Sequence, residues 1–168
     1  MKTFEQYLQD KMDAINPQQL LQGKPDAWIQ AVRRLPPLLQ QEILEERPDP
    51  TQSDIEWVST FQVGKQPKRQ NVAELLKNTE NLATISRCPP DVIREINQKW
   101  GLQVEPSKVY DPNPNRYKDI AQKFTGETAK PSVMVNGEII FGCGRFVSAL
   151  LRGDQQIAVW DIKGGYCF

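Results

Sequence analysis

The chain has 168 residues, 39% hydrophobic and 25% charged, which is enough to bury a core without disulfide staples. Its 21 Lys and Arg balance 21 Asp and Glu, and there is no histidine, which excludes histidine triads, imidazole metal sites and a histidine general base. Three widely spaced cysteines (Cys88, Cys143, Cys167) match neither a disulfide framework nor a structural zinc site, so reduced thiols and a cytoplasmic location are expected.

The amino-terminal half is read as helical throughout. Phe4, Tyr7, Leu8, Met12 and Ile15 recur at helical spacing behind Thr3, and the start reads as polar helix rather than signal peptide. Asn16-Pro17 and Lys24-Pro25 place prolines where new helices begin, with Gly23 as a stop between them and Trp28, Ile29 and Val32 as an apolar stripe. Pro36-Pro37 restarts the chain into a helix carrying Leu39, Ile43 and Leu44. The Pro-Asp-Pro run at 48–50 ends it, and Ser53 is expected to cap a segment with Ile55, Trp57, Val58 and Phe61. A connection over 63–70 carries three positive charges. Helices near 71–78 and 89–100 follow, the latter with Val92, Ile93, Ile96 and Trp100 inward and Gly101 as its stop. The unit from Val72 to Lys99 has helix-turn-helix length, a DNA-binding expectation. Trp28, Trp57 and Trp100 are expected in the core.

From Leu102 the texture changes. Val104 and Val109 alternate with polar residues, Asp111 to Arg116 is turn-rich, and Tyr117, Ile120, Ala121 and Phe124 suggest a helix closed by Gly126. Val133 and Val135 make a short strand, Asn136-Gly137 a two-residue hairpin turn, and Ile139 to Phe141 the return strand. Gly142, Cys143, Gly144 and Arg145 then open a helix with Val147, Leu150 and Leu151 on its apolar face. Gly153 stops it, and Ile157, Val159 and Ile162 form a last strand. The expected class is α+β: a helical region over 1–101 and a small mixed-sheet domain over 102–168.

The glycine-rich loop holds the candidate chemistry. A helix start presents unpaired N–H groups and a partial positive charge, an anion seat to which Arg145 adds a forked contact. Gly142 and Gly144 permit close backbone approach. The same setting activates a thiol at Cys143. Glu138 and Asp119 are candidates to position Mg²⁺ or water.

In order, Pro112, Asn113, Pro114 and Arg116, then Pro131 to Val135, Gly137 to Ile140, Gly142, Arg145, Ala149, Gly153, Ile157 and Val159 make a pattern that resembles the ParB/sulfiredoxin superfamily. The resemblance covers roughly residues 104–162. The loop Gly142-Cys143-Gly144-Arg145-Phe146 is a hybrid. It shares cysteine, arginine and the following aromatic with sulfiredoxins, and the second glycine with phage-type ParB relatives.

The resemblance implies a nucleotide (ATP or CTP, with Mg²⁺) bound by Gly142, Gly144, Arg145, Phe146, Arg116, Asn113 and Glu138. It also implies action on DNA or a partner protein through the helical region, without a membrane. With Phe168 six residues past the last strand, the CTP-gated clamp of partition proteins is not expected. The alternatives are a sulfiredoxin-like ATP-dependent thiol enzyme using Cys143 as nucleophile, a ParB-like metal-dependent nuclease, and a catalytically silent binding or inhibitor module on the same fold.

Overall fold

The computed structural model describes residues 17–108 and 130–165. The expected first helix, Asn113, Arg116, Asp119, the expected helix around Tyr117 to Phe124, and Cys167 lie outside the described residues. Within them the chain forms eight helices and a four-stranded mixed sheet, an α+β fold.

Prolines and glycines punctuate the amino-terminal helices where the sequence places them. Helix α1 spans Pro17–Leu21, α2 Asp26–Arg33 and α3 Pro37–Glu46, the last two entered through Pro25 and Pro36 in an extended conformation. Helix α4, Gln52–Ser59, starts two residues earlier than expected. Its cap is Thr51 rather than Ser53: the Thr51 hydroxyl accepts from Asp54 N–H, and the Asp54 carboxylate accepts from Thr51 N–H. Such a reciprocal pair satisfies two otherwise orphaned donors, which a lone serine inside the helix does not.

The expected connection over 63–70 is partly a strand. β1, Lys68–Asn71, lies antiparallel to the last strand although its four residues carry no apolar pattern. Three helices follow, α5 (Val72–Leu75), α6 (Thr79–Ser86) and α7 (Pro90–Trp100), capped in turn by Asn71, Asn78 and, at the carboxyl end of α7, by left-handed Gly101. The interval read as a helix pair therefore holds three. The hairpin is as expected: β2 (Ser132–Val135) and β3 (Glu138–Phe141) flank Asn136 and Gly137, both at positive φ. Helix α8, Cys143–Arg152, and β4, Gln156–Ile162, complete the sheet in the order β1-β4-β2-β3, with β4 and β2 parallel.

The sheet is the middle of three layers. Val133, Val135, Phe141, Trp160 and Ile162 pack with Trp28, Ile43, Trp57 and Phe61 from the α1–α4 side. Met134, Ile139, Ile157 and Val159 pack with α5–α8 through Val72, Ile85, Ile96, Phe146 and Leu150. Alternate residues of β2 and β4 thus face different cores, as the two-residue period of a strand requires. Both cores and the sheet draw on residues from either side of position 101.

A side chain partly covers the β3 edge. Fully buried Asn81 on α6 accepts from Ile139 N–H at 2.9 Å and donates to the Gly137 carbonyl at 3.0 Å, standing in for a neighbouring strand.

Candidate functional site

The loop singled out by the sequence lies between β3 and α8. Gly142 takes φ +82°, and a Cβ there would fall 2.8 Å from both Arg145 Nη2 and Ser132 Oγ. The missing side chain therefore makes room for two groups of the protein itself. Ser132 Oγ donates to the Gly142 carbonyl at 3.1 Å, tying the start of β2 to the turn.

Arg145 is committed twice. Nη1 donates to the Pro131 carbonyl at 2.8 Å, and Nη2 forms a charge-assisted hydrogen bond with Glu42 Oε1. Glu42 belongs to α3, in the opposite helical layer, and is buried. The pair fastens the two outer layers together beside the β2–β3 hairpin. The surroundings reinforce this, because α3 also carries Glu45 and Glu46, with Lys130 at 3.9 Å from Glu45. Arg145 is thus held by a buried carboxylate and a backbone carbonyl, and a phosphate here would have to compete with Glu42.

Cys143 differs from expectation in direction. Burial pushes its thiol above the ordinary range, Glu46 and Glu138 add to that, and Arg87 and Arg145 only offset part of it. The sequence reading placed a thiolate-stabilising arginine beside this cysteine. In the fold that arginine's charge is balanced by Glu42, and the thiol is turned toward the Ile139 and Ile140 carbonyls at 3.5 and 3.8 Å. Burial outweighs the neighbouring arginines, so the fold shifts this half-buried thiol opposite to the activation expected. Glu138 is likewise raised, by burial first and by Glu80 next, against Arg87.

Of the candidate ligand residues, Gly142, Gly144 and Arg145 are partly accessible. Gly144 gives its carbonyl to Ser148 Oγ at 2.7 Å. Phe146 is fully buried in the second core and presents no surface to a ligand. Asn113 and Arg116 lie outside the described residues.

The apolar face of α7, read as half of a DNA-reading pair, packs in the second core. Trp100 Nε1 donates to the Leu150 carbonyl at 2.9 Å, and Lys99 to that of Leu151. Cys88 is buried just ahead of α7. Sequence reasoning missed Glu42 and Ser132. The one local signal was a carboxylate next to the Leu39–Ile43–Leu44 stripe.

Among the described residues no group of three or more His, Cys, Asp or Glu side chains is placed to hold a metal ion. No helix among them is long and apolar enough to cross a membrane. No protein-family profile, no curated protein and no solved structure matches the chain.

Proposed function

We propose that this chain is a ParB-type binding module that acts by docking a partner in the cytoplasm, without turning over a nucleotide or a thiol substrate. The observation that carries this reading is the Arg145–Glu42 pair, which gives an internal anion to the group a phosphate would need. The raised Cys143 thiol supports it from a different direction, since sulfiredoxin-like attack needs the thiolate. An arginine held by a carboxylate and a backbone carbonyl is a structural brace, and a desolvated thiol is a small core residue.

Calorimetric titration with ATP and with CTP, each with Mg²⁺, tests the reading. The expected result is no saturable heat for the native chain up to millimolar nucleotide. Saturable binding lost in Arg145→Ala would replace the docking reading with the nucleotide-binding one, and would require Glu42 to leave Arg145 on binding.

A further inference from the structure

We infer that the docking surface is the basic corner where β1, β4 and the exit of α5 meet, and that it fits an acidic segment of a partner protein. This inference rests on the docking reading above. A groove of about 430 Å³ lies there, lined by Lys68, Lys77, Lys163, Asp161, Glu74 and the hairpin glycine Gly137, among others.

Its cations each lie beside a carboxylate. Asp161 Oδ2 takes Lys68 at 2.7 Å, Asp161 Oδ1 has Lys163 at 3.5 Å, and Glu74 takes Lys77 at 3.0 Å. Each ammonium has three N–H donors, so one carboxylate partner leaves capacity for a second anion while reducing the side chain's freedom. Ordering long side chains is a main cost of association, and here part of it is met within the free protein.

The surrounding chain adds to the field. Residues 62–77 carry Lys65, Lys68, Arg69 and Lys77 against the single carboxylate of Glu74. Lys65 is exposed on the approach to β1, whereas Arg69, between the groove-lining Lys68 and Gln70, is exposed on the other face of the strand.

The same corner argues for a protein partner over a nucleic acid. A phosphate backbone is uniformly negative and would run against Asp161 and Glu74, which sit inside the groove. A peptide that alternates carboxylates with neutral polar residues matches cations interleaved with acceptors. It would place its acidic side chains at the lysines and its backbone N–H groups near the carboxylates.

The test uses the full chain and fluorescence anisotropy, with a labelled alternating Glu-Ser peptide in one arm and a labelled DNA duplex in the other. The peptide is expected to bind at low ionic strength, to weaken as salt is added, and to bind more tightly than the duplex. The double variant Lys65→Glu/Lys77→Glu is expected to lose roughly fivefold or more in peptide affinity. Neither residue holds Asp161, so this variant leaves the β1–β4 pairing intact. No peptide binding, binding unchanged in the variant, or tighter binding of the duplex would each overturn the assignment. The nucleotide titration reads the docking proposal separately, so the two can fail independently.

Discussion

Two ion-paired sites in this fold use the same chemistry to opposite ends. At the start of α8, Glu42 and Arg145 meet with side chains only 9% and 21% exposed, and the pair joins two helical layers. At the far corner of the sheet, Lys68 and Lys77 pair with Asp161 and Glu74 while remaining 50% and 72% exposed. Removing one partner of the first pair strands a charge away from water. Removing one partner of the second leaves a solvated ion and little else. Burial, more than residue type, decides whether a cation is a brace or a point of contact.

The largest effect should follow from Glu42→Ala, which leaves the Arg145 guanidinium without its carboxylate. Its cost in urea unfolding should be about 2–3 kcal/mol, somewhat below that for a fully buried pair because Arg145 keeps some solvent access. Gly142→Ala should come next, at about 2 kcal/mol, since it combines a left-handed backbone with displacement of Arg145 and Ser132. Gly137→Ala carries only the backbone part, about 1 kcal/mol, because its nearest neighbour is Asn78 Nδ2 at 3.6 Å.

Cys143 should react with iodoacetamide with a midpoint above the ordinary thiol value of about 8.5. Because its folded form holds the proton more tightly, stability should fall as pH rises past that value, and Cys143→Ala should flatten the decline.

The smallest effects belong to the exposed corner. Lys68→Ala should cost about 0.2–1 kcal/mol at low salt and less at high salt. Burial tends to raise Asp161, but Lys68 and Lys163 outweigh it and hold the carboxyl below its usual range. The contribution of that carboxylate should therefore be present above about pH 3.9 and be lost as pH falls below it, with Lys68→Ala reducing the loss. Lys77→Ala should be close to neutral in unfolding.

Local signals were legible in the sequence. Asn136-Gly137 specified the hairpin, Gly101 and Gly153 the helix ends, and Pro25 and Pro36 the helix starts, because each acts through its own backbone. The elements that depend on distant partners were not. Lys68–Asn71 has no apolar alternation and becomes a strand only because β4 offers it an edge. Asn81 partly covers the β3 edge from more than fifty residues away.

The candidate loop illustrates the same limit. Its glycines, cysteine and arginine were all visible as a pattern, and the pattern suggested an anion. What the pattern lacked was Glu42, 103 residues earlier, which supplies that anion from inside the protein. The Thr51–Asp54 capping box lies within one turn, yet the expected cap fell two residues late, at Ser53.

A double-mutant cycle between Glu42 and Arg145, read by urea unfolding of Glu42→Gln, Arg145→Met and the combined variant, tests the commitment of the arginine most directly. The account predicts a favourable coupling of about 1–3 kcal/mol, with the double variant more stable than the sum of the single losses allows. A coupling indistinguishable from zero would mean that Arg145 is not tied to α3, and would return the α8 start to the list of open anion seats.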